Sequence, residues 1–402
     1  MRLLSPAIKA ASAFTLGGAA FALANLLLAR HLSTQDYGHL ALVLAITAFS
    51  IPLSPLGLDA IVVRHRPGPQ SRLLKLSTQT GVISGIMIAS VARVTYSIDV
   101  GFLLLIIIAI AAGSVTRVVA SVYQSEQRYK WSLWLIQSQN IMLILAAIGA
   151  GLFINVSVKT VFSAYAAYWV LAAILGWLSL RLRSGLKADE TWKVPWGESP
   201  PLFGYLVTIQ LVAQMDKLII PKFLDIESLA TFGVLSALVL APFTMFQAGV
   251  GYTLIPGLRS AVTKPARKAI AIHEAGTTIF VIVLGVASGF LFAPWVANLF
   301  LHGKYEFGRV LIGAAVFTGS LKVLVMFVSS IVTALGNHAQ LTWLNRGSWL
   351  AVLISIAGGW WGSRLGLPGL IFGFAVGSMV RLAIAALIAL RVWRQPEKES
   401  RN

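Results

Sequence analysis

Hydrophobic residues recur along this chain in twelve blocks separated by short polar breaks. They fall at roughly 11–30, 38–63, 77–92, 100–122, 132–154, 160–180, 202–223, 229–255, 269–294, 309–333, 346–362 and 368–390. In stretches such as Gly101 to Ala112 and Ile279 to Pro294 the apolar side chains go all round the helix instead of along one stripe. That is the pattern of a helix solvated by lipid, and each block is long enough to cross about 30 Å of hydrocarbon, the third only just. Backbone groups in hydrocarbon must be satisfied internally, which leaves helices or a closed barrel, and no block alternates with the period of two that a barrel strand needs. The pattern predicts an all-α, polytopic membrane protein of about twelve transmembrane helices.

Composition agrees. Of the 402 residues 57% are hydrophobic and 11% charged, against about 25% charged in a soluble domain, and the mean hydropathy is +0.81. There is no cysteine, so neither a disulfide nor a thiolate metal site is available, and the six histidines form no HxxxH pair. The first block follows Arg2 and Lys9 without a convincing cleavage site, and is expected to remain as the first span.

The net charge of +18 would suggest nucleic acid in a soluble protein. Here the position of the cations matters more, because short loops rich in Lys and Arg stay cytoplasmic. With the N-terminus inside, twenty-one of the 32 Lys and Arg fall in inner loops and tails. Seven fall outside: Arg30, Arg93, Lys159, Lys222, Lys304, Arg309 and Arg364. Dropping one helix would invert everything after it, so both termini are expected in the cytoplasm. Trp131, Trp134, Trp177, Trp295, Trp349, Trp360 and Trp393 sit near block ends, where indole prefers the interface. The polar, proline-containing stretch 181–201 reads as a cytoplasmic linker between an N-terminal six-helix bundle, 1–180, and a C-terminal one, 202–402 with a short tail.

The two halves look related. Leu32-Ser-Thr-Gln-Asp-Tyr-Gly38 leads into an apolar run, as does Leu224-Asp-Ile-Glu-Ser-Leu-Ala230, at an offset of 192. Near that offset Pro52 and Pro55 answer Pro242, and Gly57 answers Gly249. A parallel repeat of this kind is common among transporters. Proline inside a helix removes a ladder hydrogen bond, so Pro52, Pro55 and Pro242 are hinge candidates, with a static kink the even alternative.

Four cations lie within blocks: Arg117, Lys217, Lys322 and Arg381. Insertion of such a group costs roughly 2.5–3.5 kcal/mol unless it meets a cavity or a partner. One reading is a cationic central cavity that holds a phosphate or diphosphate, with Arg117 and Lys322 facing one another; the other is snorkelling, or pairing with an acid on a neighbouring helix. Gln210, Gln214 and Lys217 follow i, i+4, i+7 on one face, and Asn25 matches Lys217 at the repeat offset. Asp216 is a coupling-ion candidate, although neutralisation of a nearby cation is the commoner role. Gln137, Gln139 and Asn140 read as interhelical hydrogen-bond partners. Asp59 and Arg64 read as solvated or paired near the inner surface, and Tyr37 and Tyr305 as interfacial anchors, with sugar stacking the rival role.

No GxxxxGK[ST] motif is present and no loop carries an acidic cluster, so neither ATP hydrolysis nor a metal or other cofactor is expected, and the chain is not read as an enzyme.

With these residues the chain resembles bacterial flippases for lipid-linked O-antigen and polysaccharide repeat units, in the multidrug, oligosaccharidyl-lipid and polysaccharide exporter superfamily. The likeness lies in Ala24-Asn-Leu-Leu-Leu-Ala-Arg-His-Leu-Ser-Thr-Gln-Asp-Tyr-Gly-His-Leu-Ala-Leu42, in Leu56-Gly-Leu-Asp-Ala60, and in Gln124-Ser-Glu-Gln-Arg-Tyr-Lys130. It continues in Gln214-Met-Asp-Lys-Leu-Ile220 and Leu299-Phe-Leu-His-Gly-Lys-Tyr305. The resemblance implies two six-helix bundles around a central cavity, in the bacterial inner membrane. It further implies transfer of an undecaprenyl-diphosphate-linked oligosaccharide between leaflets, with a polysaccharide polymerase or chain-length protein as possible partners and no nucleic acid. Cavities in the family are cationic, which gives Arg117, Lys217, Lys322 and Arg381 that role by analogy. The rivals are a multidrug or lipid II exporter of the same superfamily and a membrane polysaccharide polymerase. A cation extruder should carry more buried acid than base, and a polymerase a large outer loop; this chain shows the reverse of both.

Overall fold

In the computed structural model, residues 6–152, 157–184, 194–261 and 263–394 are described. They form fourteen α-helices, and no strand occurs among them. In chain order these are α1 (Pro6–His31), α2 (Thr34–Ser50), α3 (Leu58–His65), α4 (Ser71–Tyr96), α5 (Val100–Ser125), α6 (Tyr129–Leu152) and α7 (Val158–Ser184). There follow α8 (Ser199–Phe223), α9 (Ile226–Leu235), α10 (Ala241–Ser260), α11 (Lys264–Leu301), α12 (Arg309–Leu335), α13 (His338–Gly362) and α14 (Gly366–Arg394). Among the described residues each of the twelve apolar blocks falls mainly on helix, the second divided between α2 and α3 and the eighth between α9 and α10. Seven helical stretches among the described residues are long and apolar enough to cross a membrane, the last of them, His338–Arg394, being α13 and α14 together.

Short polar residues start these helices. Ser33 Oγ accepts from the Asp36 amide at 3.0 Å at the head of α2, and Asp225 Oδ1 from the Ser228 amide at 2.6 Å at the head of α9. Ser33 and Asp225 occupy equivalent places in the repeat, so the two halves begin their second apolar block with the same device. Asn337 and Gln340 exchange two bonds as a capping box for α13.

The proline pair does more than kink its helix. Residues 51–57 leave the helix altogether, so that block is two helices, α2 and α3, instead of the single bent one expected. The cause is local. Pro55 has no N–H for the Ile51 carbonyl, and Ser54 Oγ donates to it at 2.8 Å in its place. Ser50 Oγ likewise donates to the Ile46 carbonyl, and Leu56 and Gly57 then turn through φ +53° and +84°. In the second half the device differs: a wide π-turn at Ser236–Leu240 precedes Pro242, which sits in the first turn of α10 where its missing N–H matters least. Gly249, the counterpart of Gly57, stays helical inside α10.

The chain groups into two compact units, Leu23–Gly233 and Met1–Ala22 with Val234–Asn402. The expected linker is only partly visible, since 185–193 lie outside the described residues. In the first unit Leu58, Ile61 and Val62 of α3 pack with Val118, Val119 and Val122 of α5 and Leu180 of α7. Glycine lets α4 approach α5: a Cβ on Gly81 would lie 2.9 Å from Ala111 Cα. Trp177 is buried in this core instead of anchoring at an interface, whereas Trp131, Trp134, Trp295, Trp349 and Trp360 are exposed. In the second unit Phe243 of α10 fits against Gly285 of α11 and Gly319 of α12, where an added Cβ would come within 2.5 and 2.6 Å of its ring. Helices α13 and α14 run closest, with a Cβ on Gly373 only 2.1 Å from the Gly358 carbonyl oxygen.

Candidate functional site

In the unit Leu23–Gly233 one of the polar side chains predicted for a binding face, Asn25, is engaged by a neighbouring helix. Asn25 of α1 is buried, and its Oδ1 accepts from the Tyr37 hydroxyl of α2 at 3.1 Å. Tyr37 is itself fully buried, so it is no interfacial anchor and offers no open ring for a sugar. Gln139 of α6 accepts from Tyr165 of α7 at 3.0 Å, an interhelical bond of the expected kind, while Asn140 donates to Gln137 on its own helix. On α8, Gln210 and Lys217 are half-buried, Gln214 keeps a buried Oε1 without a hydrogen-bond partner, and Asp216 is 5% exposed. Pro221 interrupts the ladder of α8 one turn later, and there the Tyr96 hydroxyl from α4 donates to the Leu218 carbonyl at 2.7 Å. The Lys222 ammonium stands 5.5 Å from the Tyr96 ring.

Arg117 of α5 has a partner that sequence spacing did not indicate. Its guanidinium lies 3.8 Å from Asp59 Oδ2 on α3. Asp59 is 7% exposed, not solvated at the inner surface. The break at 51–57 brings this about, because it redirects α3 so that the first-turn carboxylate meets α5. Further along α3, Arg64 and His65 both approach Glu198 Oε2, at 3.3 and 3.1 Å. Ser199 at the head of α8 donates to the Leu56 carbonyl, so the break is held from outside by the segment that opens the second half. No motif in the sequence marks Glu198 for this role; it is one of three acids in the mixed-charge stretch 181–201.

In the other unit Lys322 sits at the middle of α12 and Arg381 at the middle of α14, on helices that pack side by side, and both side chains are half-buried. Mid-helix placement puts both beyond easy reach of either surface. Buried hydroxyls of Ser329 and Ser330 lie two turns further along α12. Tyr305, midway along the loop between α11 and α12, is buried like Tyr37. Among the described residues no group of three His, Asp or Glu is placed to hold a metal ion.

Residues 27–307 match the family described as polysaccharide biosynthesis protein. No curated protein matches the chain in sequence. Among solved structures the chain is similar to the lipid II flippase MurJ in an inward closed conformation, with a TM-score of 0.67, 12% identity and coverage of 96% of this chain and 90% of that one. It is also similar to a multidrug resistance MATE family transporter of the MOP superfamily. The inward-facing form gives a TM-score of 0.61 at 14% identity, covering 93% of this chain and 94% of that one. The outward-facing form gives 0.58 at 15% identity, covering 96% and 95%. At such identities the likeness is one of fold.

Proposed function

The chain belongs to the polysaccharide biosynthesis protein family, and from that premise we propose that it is a flippase for an undecaprenyl-diphosphate-linked oligosaccharide. It works by alternating access in the bacterial inner membrane, with both termini cytoplasmic, and feeds O-antigen or exopolysaccharide assembly. The observation that carries the reading is the pair of half-buried cations, Lys322 and Arg381, at mid-helix positions in a chain of this family. A diphosphate offers two phosphoryl groups, each able to accept charge-assisted hydrogen bonds from such a cation. The multidrug reading draws on the shared fold and on two buried carboxylates, Asp59 and Asp216, but Asp59 faces Arg117 at 3.8 Å, and the mid-helix cations Lys322 and Arg381 favour an anionic cargo.

Arg117 belongs to the same reading, but its partner Asp59 makes a single replacement there ambiguous. The cleaner test is therefore Lys322→Ala and Arg381→Ala in cells that depend on this chain for surface polysaccharide. Each is expected to abolish export, to leave the protein in the membrane, and to trap lipid-linked oligosaccharide on the cytoplasmic leaflet. Normal surface polysaccharide from both variants contradicts the assignment of these cations. Normal polysaccharide after deletion of the whole chain contradicts the function.

A further inference from the structure

Asp59 is a buried carboxylate to which the function above gives no task. It stands in the first turn of α3, directly after the positive-φ residues Leu56 and Gly57. Its separation of 3.8 Å from Arg117 is about 1 Å longer than a charge-assisted hydrogen bond. Asp59 Oδ1 and Arg117 Nε are both buried with no hydrogen-bond partner. Two ions have been taken out of water; the backbone amides of Asp59 and Ala60 at the head of α3 act on the carboxylate, yet each ion keeps one buried polar atom unbonded. The pair is also lopsided, the Arg117 side chain being 23% exposed and that of Asp59 10%. An incoming ligand reaches the guanidinium more readily than the carboxylate.

The surrounding charges leave Asp59 dependent on Arg117. Arg64 and His65, on its own helix, are held by Glu198 from the turn before α8. From α5, Arg117 is the cation that acts on Asp59 among the described residues, and the nearby Tyr123 hydroxyl is bonded to Ser179 of α7. A carboxylate that loses its cation in such a place becomes neutral by taking a proton.

We propose that Arg117 and Asp59 form an exchangeable ion pair: a phosphoryl anion draws the guanidinium to itself, and the stranded Asp59 carboxylate takes up one proton from solution. Binding of the anion and uptake of the proton are then one event, and release of the anion returns both. This rests on the diphosphate reading above and gives it a coupling ion. It also moves the coupling role from Asp216 to a carboxylate whose cation the cargo competes for.

The test uses the full chain in detergent, weakly buffered, with a pH-indicator dye. The probes are undecaprenyl diphosphate and inorganic pyrophosphate. The native protein is expected to take up about one proton more per bound ligand than Asp59→Asn, and by reciprocity its affinity falls about tenfold per pH unit more steeply on going alkaline. Asp59→Asn binds more tightly than the native protein at alkaline pH. A measurement on the native protein alone guards against a variant that misfolds: an infrared band of protonated carboxyl appears on adding ligand, and shifts when aspartate is isotopically labelled. Equal proton uptake and equal pH slope in the two proteins, or no such band, overturns the proposal, as does failure of both probes to bind. Binding of undecaprenyl diphosphate without the Asp59-dependent proton leaves the function standing and removes the coupling. Coupled binding of pyrophosphate alone keeps the coupling and removes the lipid cargo.

Discussion

Tyr37 buries its whole ring and donates its hydroxyl to Asn25 Oδ1. Inside a protein solvated by lipid such a bond contributes about 1 kcal/mol, because water is no rival for either group. Tyr37→Phe removes that donor and changes little else in volume, so its unfolding midpoint in detergent should fall measurably; an unchanged midpoint says the bond is idle. The sequence placed Tyr37 beside a helix start and therefore at the membrane surface. What it does not display is the neighbour: Gly233, against which the Tyr37 hydroxyl packs, is almost two hundred residues away. The same limit hid the Asp59–Arg117 pair. Both residues were visible as ionisable groups in or near hydrocarbon, but their meeting depends on the break at 51–57, and no spacing rule links α3 to α5.

At the scale of helices, periodicity and caps were legible and close packing was not. All-round hydrophobicity marked the twelve blocks because lipid contact needs it, and Ser33 and Asp225 marked the start of α2 and α9 because a short polar side chain suits that position. The prolines announced an interruption, but whether it became a kink, a π-turn or a full break was decided by available donors, such as Ser54 for the Ile51 carbonyl. The tight α13–α14 contact gives a paired prediction. Gly373→Ala drives a methyl group into the Gly358 carbonyl and should destabilise the protein by about 1–3 kcal/mol. Gly276→Ala in α11 meets nothing within 4 Å. That exposed helix site should be neutral, or stabilised by up to about 1 kcal/mol. Similar melting temperatures for the two variants would remove the packing account.

For the whole molecule, charge bias predicts which loops face inward, and the absence of cysteine makes that testable on an otherwise unreactive chain. Ser97 lies between α4 and α5 and Thr263 between α10 and α11, and both are exposed. A membrane-impermeant maleimide added to intact spheroplasts should label Ser97→Cys and spare Thr263→Cys until the membrane is opened; the opposite pattern inverts the topology. Which helices cluster together was less legible than how many there are. The polar stretch 181–201 suggests a division along the chain, and α8, which follows it, packs with α2 inside the unit Leu23–Gly233, where the Tyr96 hydroxyl also donates to the Leu218 carbonyl.

The central claim is movement of a lipid diphosphate between leaflets, and it is most directly tested in sealed vesicles. The purified chain is reconstituted with fluorescent undecaprenyl-diphosphate oligosaccharide, and the fraction reached by an impermeant quencher is followed over time. The account predicts transfer that requires the protein, and its loss in Lys322→Ala and Arg381→Ala. Vesicles whose label stays on its original side with the native protein present, or transfer undiminished in both variants, would contradict it.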